Sequence, residues 1–199
     1  MISNEERIKR FGLTCSFNGK YYFRGHEYVD LGLPSGTLWA KCNLGAKKET
    51  DFGKYFQFGQ LKPYEETFKD YVPMELDTVG AIWHNGWKTP TQNQFRELIG
   101  NTVGEWVKID GVNGYKFINK NDKSKYVFFP AAGFADDGSV NDVGSSSYCW
   151  SSSLNTSNVI YAYCMYFNSY KVYWQLNDNR RFGFPVRGVL DKEFIFPTN

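Results

Sequence analysis

The residues best suited to chemistry are the tyrosines, asparagines and serines that crowd the stretch from Tyr148 to Arg187. Trp150 and Trp174 add two indoles, and Asp178 is the one acid of this stretch. Tyr supplies rigid contact area at low entropic cost, while Ser and Asn supply adaptable hydrogen bonds, as in antibody loops. The composition therefore predicts a contact surface held out by the preceding chain. The alternative is a pair of ordinary antiparallel hairpins in a Tyr-rich β domain.

We predict a set of ligand-binding side chains here, called the candidate contact residues below. They are Tyr148, Asn155, Ser157, Asn158, Tyr161, Tyr163, Tyr166, Tyr170, Tyr173, Trp174, Asn177 and Asn179. Alternation along a strand means that they cannot all face solvent. Met165 and Phe167 indicate the buried parity, which Tyr161 and Tyr163 share. The outward positions are then Ala162, Cys164 and Tyr166.

Catalytic signatures are missing from the sequence. His26 and His84 lie far apart and have no HExxH-like context, so both are expected to be surface or loop histidines. The serines at 151–153 lack the GxSxG turn that exposes a nucleophilic serine. We therefore expect a protein that is not an enzyme, with no catalytic residues and no cofactor.

The cysteines and loop acids predict no metal site. Cys15, Cys42, Cys149 and Cys164 show no CxxC spacing, whereas structural zinc is held by closely spaced ligand pairs. Asp136, Asp137 and Asp178 are candidate calcium ligands, but they give too few oxygens for calcium, which takes six to eight. The spacing alone does not decide whether Cys149 and Cys164 form a disulfide.

Composition limits the remaining function classes. At 199 residues the chain is most simply one domain with a short N-terminal extension. No apolar run approaches the ~20 residues of a membrane span, so no membrane insertion is expected. The formal net charge of +2, with both signs mixed, predicts no nucleic-acid partner. The N-terminus lacks the apolar core of a secretory signal. We expect a cytoplasmic or virion-associated protein, or a surface-displayed one if a leader has been removed.

Residues 1–27 are predicted to form the extension and residues 28–199 the main domain. A capping-box pattern from Ser3 to Glu6 predicts a short helix at 4–10. The Asn-Gly pair at 18–19 predicts a hairpin. The extension either packs on the domain or joins it to another copy or to a virion.

The first half of the domain predicts short strands and one long excursion. Residues 28–46 alternate on both sides of a Pro-Ser-Gly turn and predict two strands. Residues 51–59 predict either a short amphipathic helix or an aromatic loop. Residues 60–86 show no clear periodicity and predict a surface excursion, closed by Trp83 and Trp87 in the core.

A helix and further strands follow. Thr91 to Asn101 begins with a capping box and carries one apolar stripe, which predicts a helix. Strands are predicted from Trp106, at 115–118 and at 126–130, with a turn at 112–115, a close backbone approach at 131–134 and a loop at 136–147. A few helices followed by many short strands predict an α+β fold.

Several buried positions are also expected. Trp39, Trp87, Trp106 and Trp150 are predicted to be core residues. Arg187, beside the last strand, is predicted to pair with a buried carboxylate.

Several segments together resemble a known family. They are YVDLGLPSGTLWAKCNLGA (28–46), DFGKYFQFGQ (51–60), WKTPTQNQFRELI (87–99), GVNGYKF (111–117), FFPAAGF (128–134), YCWSSS (148–153), YFNS (166–169) and GFPVRGV (183–189). Residues 28–189 are similar to the major paralogous domain of gut Bacteroidetes-type proteins. Related C-type-lectin-fold domains are the variable proteins of diversity-generating retroelements. The resemblance implies a C-type-lectin-like α+β fold with small antiparallel sheets and one or two flanking helices.

The resemblance also implies a function. In variable proteins, adenine-directed mutagenesis enriches a C-terminal surface in Asn, Tyr, Ser and Asp, and a fixed strand follows it. Residues 148–182 match that surface and GFPVRGV that strand, while Cys149 and Cys164 replace expected aromatics. The expected partner is a protein or glycan on a target cell or host surface, as in phage receptor binding. The alternatives are a fixed adhesin module of a cell-surface assembly and a formylglycine-generating-type oxidase, which would need paired, reactive Cys149 and Cys164.

Overall fold

A computed structural model describes residues 15–17, 19–64 and 77–195. Within these residues the chain forms strands numbered in chain order: β1 Cys15–Phe17, β2 Lys20–Phe23, β3 His26–Val29, β4 Thr37–Asn43, β5 Tyr55–Phe56, β6 Thr102–Ile109, β7 Val112–Asn119, β8 Tyr126–Pro130, β9 Phe134–Asp136, β10 Ser139–Asn141, β11 Ser146–Leu154, β12 Tyr161–Asn168, β13 Val172–Asn179, β14 Phe184–Pro185 and β15 Arg187–Asp191. The helices of the same residues are α1 Thr78–Trp83, α2 Gln92–Asn101 and α3 Lys192–Ile195. This is a sheet-rich α+β architecture. None of the described helices is long and apolar enough to cross a membrane.

The largest sheet joins the two ends of the described chain. Its antiparallel order is β1-β2-β3-β4-β15, so β4 pairs with the last strand. Phe17 pairs with Lys20, which confirms the hairpin predicted at 18–19, although Asn18 itself lies outside the described residues. Residues 15–27 therefore continue the sheet of the main domain. The helix predicted at 4–10 also lies outside the described residues.

The second sheet is the meander β6-β7-β8. Its first turn lies at Asp110 and Gly111, whose φ angles of 47° and 83° both fall in the left-handed region that a type I′ turn requires. The turn predicted at 112–115 is therefore wrong, because those residues lie in β7. Gly114 fits there because the Phe128 ring fills the space of a side chain.

Small ladders complete the strand pairing. β5 pairs with β14, so the segment 51–59 is the aromatic loop rather than the helix. β9 and β10 pair across Asp137 and Gly138, which corrects the prediction of a plain loop at 136–147. Gly133 confirms the predicted close approach, since a side chain there would strike the carbonyl oxygen of Asn141.

Helix α2 forms as predicted. The Thr91 hydroxyl accepts from the Gln94 backbone N–H, and the Gln94 side chain accepts from the Thr91 backbone N–H, which closes the capping box. Phe95 and Leu98 on its apolar stripe are fully buried. Helix α1 lies within the excursion predicted at 60–86, where the sequence shows no clear period. Residues 65–76 of that excursion lie outside the described residues.

Two hydrophobic clusters form the core, and the sheet β11-β12-β13 lies between them. The first contains Trp87 and Trp150, and the second contains Trp39. These three indoles are at most 1% exposed, which confirms them as core residues. Trp106 is instead half-buried at the margin of the second cluster.

The two histidines differ from each other. His26 lies in β3, where its ring stacks on Trp83 at 3.8 Å and meets the edge of Trp87 at 5.8 Å. Burial lowers the pKa of His26, which favours the neutral ring. The expectation of a surface or loop position is therefore wrong for His26, whereas His84 is exposed after α1.

Arg187 is fully buried without a carboxylate partner among the described residues, which corrects the predicted ion pair. Its guanidinium donates to the side-chain oxygen of Asn43 and to the backbone carbonyls of Ala40, Lys41 and Phe128. Burial lowers its pKa to about 10, so the group stays charged at neutral pH. The five guanidinium donors of an arginine suit such a cage of neutral acceptors.

Candidate functional site

The candidate contact residues lie on the sheet β11-β12-β13 and its two turns. Asn155 Oδ1 accepts from the backbone N–H of Ser157 (3.0 Å) and Asn158 (3.2 Å) in the first turn. Asn168 Oδ1 accepts from the backbone N–H of Tyr170 at 2.9 Å in the second turn. At roughly 3.3 Å a residue, β12 separates these turns by about 23 Å. One ligand group therefore cannot touch both turns.

The sheet has two distinct faces, because successive side chains of a strand alternate. One face, which we call the aromatic face, carries Tyr148, Trp150, Ala162, Cys164, Tyr166, Tyr173, Leu176 and Asp178. The other, which we call the helix face because α2 packs on it, carries Cys149, Tyr161, Tyr163, Met165, Phe167, Val172, Trp174, Asn177 and Asn179. Val172 and Trp174 share the helix face by ordinary alternation, and a local irregularity between Tyr173 and Leu176 brings Asn177 to the same face.

Three tyrosines form a ladder across the aromatic face. Tyr148 pairs with Tyr166 and Tyr166 with Tyr173, one from each strand. Their ring centroids are 4.9 Å and 6.4 Å apart. Tyr148 also stacks on the buried Phe184 at 4.7 Å, which anchors the ladder in the core. The ladder therefore runs from a half-buried ring to one that is 43% exposed at Tyr173.

Polar contacts hold the ladder in place. The Asn168 side-chain amide donates to the Tyr166 hydroxyl at 2.9 Å. The Lys171 ammonium lies 5.1 Å from the ring centroid of Tyr173. Burial raises the pKa of Tyr148 well above its usual value, and the Tyr166 and Asp178 charges act in the same direction. Tyr148 is therefore a neutral phenol at neutral pH, not a phenolate.

The helix face carries a second group of candidates. Tyr161 pairs with Asn179, and Tyr163 with Asn177, so two tyrosine–asparagine pairs lie side by side. Trp174 is half-buried on the same face, with the Arg96 guanidinium of α2 5.8 Å from its ring. These side chains face away from the tyrosine ladder, so the structure divides the candidates into two surfaces.

None of the candidate contact residues is buried. The exposed ones are Ser157, Asn158, Tyr170, Tyr173 and Asn177, and the rest are half-buried. Tyr170, at 92%, is the most exposed large hydrophobic side chain of the described residues.

The predicted parity of β12 is partly wrong. Met165 and Phe167 are buried, as predicted. Ala162 and Cys164, predicted to face solvent, are 0% exposed and belong to the first hydrophobic cluster. The expected parity fits a sheet with one buried face, whereas this sheet packs against core on both faces.

The two cysteines of the segment are not bonded to each other. Cys149 points to the helix face and Cys164 to the aromatic face, and both thiols are free. Burial raises the pKa of Cys149 to about 12 and that of Cys164 well above its usual value. The structure therefore excludes a disulfide between Cys149 and Cys164. Both thiols stay protonated at neutral pH.

Sequence reasoning missed Phe134 and Phe182 at the border of the aromatic face, and it considered Asp178 only as an acid that could bind calcium. Phe134 lies 5.4 Å from Tyr148 and 5.6 Å from Phe182, and both phenylalanines are half-buried. Asp178 is half-buried, and burial raises its pKa.

Metal ligands do not gather around this site. The part of the chain that the structure describes contains no group of three His, Cys, Asp or Glu residues that could hold a metal ion. Asp136 forms an ion pair with Arg181 at 3.4 Å.

Comparison with known proteins adds one finding. Residues 94–189 match the family model described as Domain of unknown function (DUF8237). No curated protein matches the chain. No solved structure matches it either. The matched range runs from α2 into β15 and contains the whole of the candidate site.

Proposed function

We propose that the chain is a non-enzymatic binding protein whose sheet β11-β12-β13 is its contact surface. The observation that carries this proposal is the tyrosine ladder of Tyr148, Tyr166 and Tyr173 on a sheet packed against core on both faces. Such a sheet holds aromatic anchors at low entropic cost, and a few anchors carry most of the energy of an interface.

The fold proposed for this chain is C-type-lectin-like. Helix α2 beside small antiparallel sheets is the arrangement that the family resemblance implies, and pairing of β4 with β15 closes the domain. The resemblance extends to a variable protein of a diversity-generating retroelement. In support, the candidate contact residues all keep some exposure, while the following residues 183–190 are all buried, as a fixed scaffold strand needs.

The partner proposed is a protein or glycan on a target cell or host surface. No cofactor takes part. Weak single sites gain avidity when many copies are displayed together, for example on a virion or another surface assembly.

The second candidate function is a fixed-sequence adhesin or structural module. The division of the candidates over two faces favours it, because a hypervariable surface works best when its positions are contiguous. Half-buried rings such as Tyr148 and Tyr161 also serve the packing of the sheet itself.

Removing two exposed tyrosines, Tyr170 in the turn and Tyr173 at the end of the ladder, tests the contact surface. We expect Tyr170→Ala with Tyr173→Ala to shift the Tm by no more than about 3 °C, since surface substitutions cost little. Binding of streptavidin-tetramerised protein to a glycan array and to a panel of intact bacterial cells should fall at least about tenfold. Tyr166 is left in place because its ring contacts Tyr148 and its hydroxyl accepts from Asn168.

The matched control is Tyr21→Ala, which removes a tyrosine of similar exposure, 48%, from β2. It should leave binding unchanged. The proposal is contradicted if the double variant binds as the unaltered protein does, or if the unaltered protein binds no glycan and no cell.

A further inference from the structure

Strand β13 is the open edge of the sheet β11-β12-β13. Its inner side pairs with β12, and no other described strand pairs with it. The opposite edge of the sheet is covered, because Ser147 of β11 bridges to Gly133 and the Ser152 N–H donates to the carbonyl of Pro90 at 2.8 Å. Within the described part of the chain, residues 172–178 form backbone hydrogen bonds with β12 alone. Such an edge presents unpaired N–H and C=O groups to another chain.

The sequence of this edge does not block strand pairing. Natural edge strands are protected by proline, by lysine or by a bulge. Residues 172–177 read VYWQLN and contain neither a proline nor a charge. Valine, tyrosine and tryptophan also favour strands. The protection that remains is one bulge, where Trp174 and Gln175 together lie opposite Met165. The edge can therefore pair on both sides of that bulge.

The two ends of β13 fix which of its backbone groups point outward. At the first end, the carbonyl of Lys171 accepts from the last N–H of β12 at 3.0 Å, so the backbone of Lys171 points to β12. Successive residues of an antiparallel strand alternate in direction, so the backbone groups of Val172 point outward. At the other end, the Arg180 N–H donates to the carbonyl of Ile160 at 3.0 Å. The same alternation, counted back from Arg180, directs the backbone groups of Asn177 outward.

Two copies of β13 fit each other about a two-fold axis. Opposed residues of an antiparallel hydrogen-bonded pair direct their backbone groups at each other and place their side chains on the same face. Val172 and Asn177 satisfy both conditions, since both point outward and both lie on the helix face. When Val172 of one copy lies opposite Asn177 of the other, the axis passes between Trp174 and Gln175. The two bulges then meet at the axis, so both strands bend alike.

Charge selects this register over the neighbouring one. In this register Lys171 of each copy lies opposite Asp178 of the other, and opposite charges directly across two strands stabilise the pair. Lys171 is exposed, while Asp178 is half-buried and forms no ion pair among residues 15–17, 19–64 and 77–195. The lysine of the second copy reaches Asp178 from the side away from β12. A shift of the register by two residues would instead place Lys171 opposite Arg180, which is a pair of like charges.

We propose that the chain forms a symmetric dimer in which two β13 strands pair edge to edge, so that the sheets β11-β12-β13 of both copies continue as one. The partner is a second copy because one segment supplies both halves of the match, as a two-fold interface requires. This inference goes beyond the proposed function and does not rest on it. The dimer would also bring the two tyrosine ladders onto one sheet, with Tyr173 of each copy opposite Leu176 of the other.

Sedimentation velocity of the full chain over a concentration series measures the dimer. The paired segment 172–177 spans about 20 Å of strand, which is a small interface. We therefore expect a reversible equilibrium between monomer and dimer, with a Kd in the micromolar range. Amide hydrogen exchange followed by ¹H–¹⁵N NMR locates the contact. The amides of Val172 and Asn177 should exchange at least about tenfold more slowly in the concentrated sample than in the dilute one, because pairing protects them.

Two variants weaken the pairing in different ways. Lys171→Glu reverses an exposed charge and sets a second acid opposite Asp178 at both ends of the symmetric interface. It should raise the Kd at least about tenfold, and less at high salt. Asn177→Pro removes an outward N–H, a change that an edge strand tolerates within one copy. It should also raise the Kd at least about tenfold, because two hydrogen bonds between the copies are lost. Circular dichroism checks the fold of both variants, and Lys171→Glu decides alone if Asn177→Pro does not fold.

The matched control is Lys108→Glu, the same charge reversal at an exposed position of β6, which is also the edge of its sheet. It should leave the Kd unchanged. A chain that stays monomeric over the whole series overturns the proposal. So does a dimer that Lys171→Glu weakens no more than Lys108→Glu does, or one in which the amides of Val172 and Asn177 stay unprotected, since the contact then lies elsewhere. These measurements use no ligand, so the array and cell assay decides the contact surface separately.

Discussion

Arg187→Met is expected to destabilise the fold by about 3–5 kcal/mol, because it leaves several buried acceptors without a donor at about 1–3 kcal/mol for each one left unsatisfied. The side chain is 0% exposed. Its guanidinium donates to Asn43 Oδ1 at 2.7 Å and to the carbonyls of Ala40 at 3.1 Å, Lys41 at 2.9 Å and Phe128 at 2.9 Å. Methionine fills much of the volume but leaves these acceptors without donors. Urea-induced unfolding followed by tryptophan fluorescence measures the loss.

A second variant separates charge from geometry. Arg187→Lys keeps the charge but offers a single ammonium with three donors, and it cannot stack a planar group on Phe129 as the guanidinium does at 4.2 Å. It should therefore also lose more than about 2 kcal/mol. The control is Arg181→Met, which removes an exposed, ion-paired arginine and should cost no more than about 1 kcal/mol. Equal losses at the two arginines would refute the structural role given to Arg187.

Ala162→Tyr should prevent folding, whereas Asn177→Tyr should be tolerated. Ala162 is 0% exposed in the first hydrophobic cluster, so a phenol ring there overpacks the core at a cost of about 3 kcal/mol or more. Asn177 is exposed on β13, where tyrosine is a favourable strand residue. Both variants add the same residue to the same sheet. The measurement is soluble yield together with the Tm from circular dichroism.

Comparing Ala162→Tyr with Asn177→Tyr tests directly which positions of the sheet are buried and which are exposed. A folded Ala162→Tyr variant with an unchanged Tm would mean that the aromatic face is open at this point. In that case the parity first expected from the sequence would be right, and the two-sided burial of β12 would be wrong.

Local signals in the sequence predicted local structure well. The capping box at Thr91 and Gln94 and the hairpin at 18–19 depend on neighbouring residues, so tertiary contacts did not need to be known. The turn between β6 and β7 shows where prediction from neighbouring residues fails. Asp110-Gly111 and Asn113-Gly114 are both turn signals, and the Phe128 ring over Gly114 decides between them.

Features set by distant residues were not predictable in the same way. The carbonyls that surround Arg187 come from β4 and β8, far away in sequence, and backbone acceptors leave no trace in residue types. Cys164 and Met165 are adjacent and enter different clusters, because the sheet packs against core on both faces. The hydrophobic pattern of a single strand cannot distinguish a strand that is buried on both faces from a strand that has one buried face and imperfect alternation.

The candidate site was found as a segment but not as a surface. Residue types identified the stretch 148–182, since Tyr and Asn there exceed what a core strand needs. The ladder of Tyr148, Tyr166 and Tyr173 depends on strand register, and its border at Phe134 comes from β9. Register follows from packing across strands, which one sequence does not display.

Sibling sequences from the same locus, read with their flanking DNA, test the central claim most directly. A variable contact surface predicts a nearby reverse transcriptase and template repeat. It also predicts substitutions concentrated at the exposed and half-buried positions of 148–182, with Ala162, Met165, Phe167 and the buried residues 183–190 unchanged. Substitutions spread evenly along the chain, or concentrated at those buried positions, would contradict the proposal that this sheet is a variable contact surface.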